Sequence, residues 1–183
     1  MIVTSDHGDQ LGEHGTVGHG TSLYRQEVHV PLLVIPPSRS PSHGVVTEPV
    51  SLREIPATVA EWVALGSRNP FPGRSLTRFL RDGTEQLAET SPVLCELQHN
   101  IAFPETGEQP SPFRAARSLV SRELTYIRGD DGREELYDRV NDPLESDDLA
   151  RNPQFRPAID RFREELGGLY QDGTGPARSG TPG

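Results

Sequence analysis

The sequence has little of what staples or anchors a chain. It holds one cysteine, Cys95, so an intramolecular disulfide is excluded and the redox compartment is left undecided. No apolar run approaches the roughly 20 residues of a membrane helix, and no secretory leader is read at Met1, so no membrane span is expected. Lysine is absent, and all 18 basic residues are arginine, which reads as a compositional bias and not as function. Those 18 face 27 acidic residues, for a formal net charge of −9. A surface of that sign attracts neither nucleic acid nor an anionic membrane, so both are excluded as partners. Apolar residues make up 33% of the chain and aromatics 6%, low for a compact α/β unit, yet 183 residues suffice for a real core.

Glycine and proline are plentiful, 18 and 17 residues, and they punctuate the chain into short elements. Residues 1–5 read as the end of a buried parallel strand. A Gly- and His-rich loop with one irregular helical turn fills 6–26. His29 to Ile35 reads as an apolar strand closed by Pro36-Pro37, residues 38–44 as a loop, and Val45 to Val50 as a short strand. A helix starting near Glu54 tolerates Pro56 in its first turn, with Ile55, Val59, Trp62 and Val63 on one face. Leu76–Leu80 reads as a short helix.

The character changes after residue 90. Val93–Leu97 is a predicted strand and 99–113 a long polar loop. Arg117–Ile127 and Glu134–Tyr137 read as two antiparallel strands joined at Asp130-Asp131-Gly132. Asn152-Pro153 opens a helix to Tyr170, whose Phe155, Ile159, Phe162, Leu166 and Leu169 recur at helical spacing. The expected organisation is an α/β unit over 1–90, a small α+β subdomain over 91–171 and a disordered tail over 172–183.

The chemistry concentrates in one stretch. The strand Met1-Ile2-Val3 runs into Thr4-Ser5-Asp6-His7-Gly8, with His14 and His19 soon after. Open α/β sheets bind ligands beyond the carboxyl ends of their strands. An Asp-His pair there, with a glycine for a sharp turn, is half of a metal site. The other titratable residues read more plainly. His29 starts a strand, Asp9 and Glu13 are solvated, Arg25 is solvated, Tyr24 and Trp62 pack, and His14 structures its loop. Cys95 is a buried apolar cysteine.

Taken in order, Thr4-Ser5-Asp6-His7-Gly8, Leu11-Gly12-Glu13-His14-Gly15, Gly18-His19-Gly20, Leu23-Tyr24 and Val30-Pro31-Leu32 resemble the C-terminal portion of sulfatases, within the alkaline-phosphatase-like superfamily. Further matches are Val50 to Thr58, with Glu54 where aspartate is usual, Gly73-Arg74-Ser75-Leu76, Tyr126-Ile127-Arg128 with Glu135 to Asp138, and Asn141 to Glu145. The resemblance implies a partial alkaline-phosphatase-like parallel-type sheet flanked by helices, plus a small C-terminal antiparallel sheet with a packed helix. It implies hydrolysis of sulfuric esters, with Asp6 and His7 as metal ligands and His19 as the catalytic residue contacting a sulfate oxygen. The implied cofactor is a divalent cation, Ca²⁺ or Mn²⁺. A carboxylate oxygen suits either, and an imidazole nitrogen leans toward Mn²⁺.

The resemblance also identifies what is lacking. The family's formylglycine arises from Cys or Ser in a C-x-P-x-R element, and Cys95 has neither proline nor arginine at those offsets. The family's second aspartate pair has no counterpart either. The expectation is therefore a C-terminal fragment that acts on a sulfate ester only within a complete enzyme, with a separately encoded N-terminal half as one source of the rest. Two alternatives stay open: a phosphonate or phosphodiester hydrolase of the same superfamily, and a non-catalytic degenerate fragment or binding module.

Overall fold

The computed structural model of the chain describes residues 1–37, 44–80, 91–98 and 115–171. The best-packed part is the sheet after residue 90. Strands β5 (Val93–Leu97), β6 (Ala116–Val120), β7 (Leu124–Gly129) and β8 (Glu134–Asp138) form an antiparallel meander in that order. Successive side chains of a strand point to opposite faces. Leu119, Tyr126 and Leu136 therefore share one face, and Ala116, Ile127 and Tyr137 share the other.

The first face is covered by helix α3 (Arg156–Gln171), whose Ile159, Phe162 and Leu166 return every three or four residues. Phe162 and Tyr126 stack at 5.4 Å between centroids. Asn152 starts the helical segment as anticipated, its side chain accepting from the Gln154 N–H at 3.0 Å. At the sheet's rim Arg163 pairs with Glu134, with Arg163 Nε 2.7 Å from Oε1. That guanidinium holds the Glu134 carboxyl down at about 2.

The second face meets Leu23, Tyr24 and Val28, which lie in and just before the short helix α1 (Arg25–Val28). The N-terminal loop is thereby braced on the C-terminal sheet. Arg25 is a brace rather than the solvated arginine expected. Its backbone N–H donates to the buried Glu145 carboxylate at 2.7 Å, and its guanidinium donates to the Arg139 carbonyl at 3.3 Å.

Several expectations need correction. The stretch 117–127 is not one strand, because the chain reverses at Ser121, whose hydroxyl accepts from the Leu124 N–H at 3.0 Å. The α/β class holds, but β1 (Ile2–Thr4) and β4 (Leu32–Val34) pair antiparallel, Val3 opposite Leu33, and not as parallel neighbours. Parallel pairing needs a crossover of a dozen or more residues, usually helical. Here the intervening segment holds only the four-residue α1 and a hairpin of β2 (Gln10–Leu11) with β3 (Val17–Gly18). Nor is β1 buried, since Val3 and Leu33 are both about half exposed.

Residues 45–50 form no strand, and Val45 and Val46 are exposed. Helix α2 (Glu54–Trp62) starts where expected but buries Ala57, Thr58 and Ala60, leaving Val59 and Val63 exposed. The small residues win because the Leu76 turn packs against them. The Thr58 hydroxyl accepts from the Leu76 N–H at 2.8 Å. The expected loops over 38–44 and 99–113 and the expected tail over 172–183 lie wholly or mainly outside the described residues.

Candidate functional site

The carboxyl end of β1 delivers the chain into Ser5-Asp6-His7-Gly8. The Ser5 hydroxyl donates to the His7 carbonyl at 2.6 Å, and the His7 N–H donates to Asp6 Oδ1 at 3.1 Å, which fixes a tight turn. Bonding from its own amide, with His7 beside it, holds Asp6 below the usual carboxylate range. The side chain is well exposed and ionised at neutral pH.

His7 Nδ1 lies 3.1 Å from the Gly8 carbonyl. A carbonyl only accepts, so the proton of a neutral ring sits on Nδ1 and Nε2 carries the lone pair. Nε2 stands 3.7 Å from Asp6 Oδ2. That is too long for a hydrogen bond, but two ligands of one cation sit about 3.0–3.9 Å apart given usual metal–ligand lengths. The donor chemistry and the spacing of Asp6 and His7 thus fit a divalent cation.

His19 comes back to this turn across the β2–β3 hairpin. Its ring stacks on His7 at 4.0 Å and 27°, and its Nδ1 lies 2.8 Å from Asp9 Oδ1. One ligand atom from each of His7, Asp9 and His19 falls within 4.8 Å of the others. The sequence reading treated Asp9 as solvated. The missing signal is physical: its partner is ten residues on, across a hairpin of two-residue strands too short for any alternation to show.

What holds the two histidine-bearing turns together is Glu27 of α1, another residue the sequence did not flag. Its backbone carbonyl accepts from the Gly8 N–H at 2.9 Å. Its buried carboxylate accepts from Gly20 N at 2.7 Å, Thr21 N at 3.2 Å and the Ser22 hydroxyl at 2.6 Å. One residue thereby pins the turn after His7 with its main chain and the turn after His19 with its side chain. Gly8 is needed for close approach, since a Cβ there would stand 2.0 Å from the Gln26 carbonyl oxygen.

His14 proves structural. Its ring stacks on Tyr24 at 3.6 Å and 9°, and burial holds its pKa below the ordinary value, so it stays neutral at pH 7. Its φ of 53° lies in the left-handed region, which lets the Leu11-Gly12-Glu13-His14-Gly15 turn close. Cys95 faces the Leu23–Tyr24 cluster, and burial pushes its thiol up to about 11, which keeps it protonated and unreactive.

Asp6, His7 and His19 stand on the wall of an open groove of about 1750 Å³ whose floor is largely apolar, with Leu33, Ile35 and Val46 among its lining residues. Ligand grooves of α/β proteins sit in such places, beyond the strand ends.

The chain follows part of the fold of solved alkaline-phosphatase-like proteins. Residues 1–65 match the family model described as Sulfatase. Over 166 residues the chain is 27% identical to a sulfatase of Formosa agariphila, covering 91% of this chain and 29% of that protein. It is 26% identical to a Δ4,5-hexuronate-2-O-sulfatase of Bacteroides thetaiotaomicron over 100% of this chain and 39% of the relative. A choline-sulfatase of Rhizobium meliloti is 29% identical, over 84% and 27%.

Among solved structures, a 2-O GAG sulfatase superposes with a TM-score of 0.76 at 21% identity, over 98% of this chain and 38% of that one. The phosphonate monoester hydrolase of Agrobacterium radiobacter follows the same fold, with a TM-score of 0.66 at 22% identity, over 93% and 34%. Its N-terminal third and these relatives make the chain similar to sulfatases. It spans 27–39% of the length of the relatives named above. Among the described residues, no helix is long and apolar enough to cross a membrane.

Proposed function

We propose that this chain supplies the cation-and-anion part of the active site of a metal-dependent sulfuric-ester hydrolase. In this reading residues 1–90 carry the site and residues 91–171 form the subdomain that braces it. The observation behind it is the Asp6–His7 geometry: an ionised carboxylate, and an imidazole Nε2 left with its lone pair 3.7 Å away. Asp6 and His7 would hold a divalent cation, Mn²⁺ or Ca²⁺, which when bound acts as a Lewis acid on the ester oxygen.

His19 is the oxyanion and proton-transfer group. With Nδ1 directed at Asp9, the imidazolium form would use its Nε2–H to steady a sulfate oxygen as negative charge develops there. The same proton can pass to the departing alcohol. Asp9 is a positioning residue that fixes the ring. Glu27 and Gly8 hold the two turns at the spacing this needs.

The nucleophile is not among the 183 residues, because neither Cys95 nor any serine stands in a C-x-P-x-R or S-x-P-x-R setting. It would come from further sulfatase sequence, in the same reading frame or from a separately encoded N-terminal half. Reading the DNA upstream of the Met1 codon for such a frame is the first test.

The biochemical test joins this chain to an N-terminal sulfatase portion carrying that element and an aspartate pair. Asp6→Ala should then lose hydrolysis and bound metal together, whereas His19→Ala should keep the metal and lower kcat. Normal metal content in Asp6→Ala would remove Asp6 from the site. Running an aryl sulfate beside a phosphonate monoester separates the sulfatase from its phosphonate-cleaving cousins.

A further inference from the structure

We propose that His14 is an acid-sensitive latch on the loop that carries the site: its neutral ring clamps the loop to the C-terminal sheet, and its protonation lets the loop go. The latch belongs to the docking surface and works whatever ester the site acts on. Its geometry is a cluster of three rings. His14 lies on the face of Tyr24 at 3.6 Å and 9°, and the Tyr137 ring of β8 meets both edge-on, at 6.2 Å and 6.1 Å. Tyr24 and Tyr137 are each 4% exposed, so this cluster is the contact between loop and sheet. His14 Nε2 is buried within it and finds no hydrogen-bond partner among the described residues. A neutral ring tolerates a buried lone pair. The imidazolium puts a charged N–H at the same place with neither water nor an acceptor, and a buried unpaired charge costs far more than a buried unpaired neutral atom.

Several groups around the ring favour its charged form. They are Glu135 of β8, Glu13 in the same turn, Asp142 after β8 and the Leu144 carbonyl, together with the Tyr24 face. The Glu135 carboxylate is already engaged, accepting from the Tyr137 hydroxyl at 2.9 Å. Desolvation outweighs them all, and the docked ring titrates below its ordinary 6.5. A released loop therefore binds a proton that the docked loop refuses. Docking is at full strength above pH 6.5 and weakens as pH falls from there toward the docked value. The effect reaches the site through the backbone. The Tyr24 carbonyl accepts from the Glu27 and Val28 N–H groups at 3.0 Å and 3.2 Å, so the residue under His14 also opens α1. Glu27 of that helix holds the turns after His7 and His19.

The test is amide hydrogen exchange on the full 183-residue chain at about pH 7.5 and about pH 5, the range in which a histidine changes charge, with each rate corrected for the intrinsic effect of pH. The amides of Thr16, Glu27 and Val28, whose hydrogen bonds lie in the docked segment, should exchange at least about tenfold faster at the acid end. Ile127 in the sheet and Phe162 in α3 should keep their protection. The His14 C2 proton, followed by NMR, should titrate below 6.5. His14→Phe keeps a ring on Tyr24 and removes the titrating nitrogen, so the pH response of the three amides should vanish. Glu135→Gln leaves the stacked rings in place and takes away a carboxylate that favours the charged form, so the His14 midpoint should move lower still.

A His14 midpoint at or above 6.5 would overturn the proposal. So would unchanged protection of the three amides across the range, or the same pH response in His14→Phe as in the parent, which would put the response on other groups such as His7 and His19. Should His14→Phe leave the loop undocked at both pH values, the Glu135→Gln midpoint decides: a fall supports the latch, and no fall overturns it. Ester hydrolysis by the joined enzyme is read separately, so failure of the latch leaves the sulfatase reading standing, and the reverse.

Discussion

Glu27→Gln is the sharpest perturbation of the loop that carries the site. The carboxylate is 5% exposed and accepts four hydrogen bonds, two from the backbone N–H groups of Gly20 and Thr21 and two from the hydroxyls of Thr21 and Ser22. Glutamine keeps one acceptor oxygen, and its NH₂ must then face the other pair of donors. Placed against the amides, that NH₂ leaves two N–H groups unsatisfied. Placed against the hydroxyls, it asks Ser22 Oγ to accept a third bond, since that atom already accepts from Gln10 Nε2 and Tyr24 N. Hydrogen bonds to a charged group contribute about 1.5–3 kcal/mol against about 0.5–1.5 for neutral ones. Converting two and straining two costs about 3 kcal/mol, concentrated where Gly20 follows His19. Urea unfolding of the chain, read beside the nuclear Overhauser contact between the His7 and His19 rings, measures both effects. The expected result is a lowered midpoint with unchanged m-value and loss of the ring contact. A Glu27→Gln chain within about 0.5 kcal/mol of the parent, rings still stacked, would mean that Glu27 does not hold the two turns together.

Other predictions concern the scaffold. Gly8→Ala should lose the His7–His19 contact and destabilise by more than about 2 kcal/mol, because its Cβ meets backbone rather than a movable side chain; the same unfolding experiment reads it. Phe162→Ala removes the fully buried ring stacked on Tyr126 and should cost about 3–5 kcal/mol in the same assay. Glu134 titrates at about 2 when folded against 4.5 ordinarily. The folded state therefore binds fewer protons than the unfolded chain between those values, and stability present above pH 4.5 is lost as pH falls toward 2. Arg163→Ala should flatten that part of a stability–pH profile and remove roughly 2 kcal/mol at pH 7, after screening of the part-exposed guanidinium.

The sheet and helix after residue 90 were the more legible part, and the reason is periodicity. Phe155, Ile159, Phe162, Leu166 and Leu169 repeat at helical spacing against a sheet that alternates at period two, so helix and face follow from the residues. Turns were legible only where their chemistry shows. Asp130-Asp131-Gly132 carries a glycine whose φ is +83°, whereas Ser121-Arg122-Glu123 has no such mark and its hairpin was merged into one strand. Burial faces were misread where size decides and hydrophobicity does not, as in α2, which packs through alanines and Thr58. Strand direction was misread because an apolar run such as Leu32-Leu33-Val34 looks the same in either orientation.

The site divides the same way. Asp6, His7 and His19 came from a motif, and the structure brings His7 and His19 into contact with Asp6 alongside. Asp9 and Glu27 act through partners that no local pattern links to them. Gly8, expected to serve a turn, instead makes room for a carbonyl.

The proposed role of this chain is a cation-and-anion half-site for sulfuric-ester hydrolysis. The most direct measurement is aryl-sulfate turnover with Mn²⁺ or Ca²⁺ by three proteins: the chain alone, the chain joined to an N-terminal sulfatase portion, and the joined protein with Asp6→Ala. A half-site of this kind gives no turnover by the first, turnover by the second, and loss of both turnover and bound metal in the third. Hydrolysis by the chain alone, or a joined Asp6→Ala protein that keeps its metal and its rate, would contradict it.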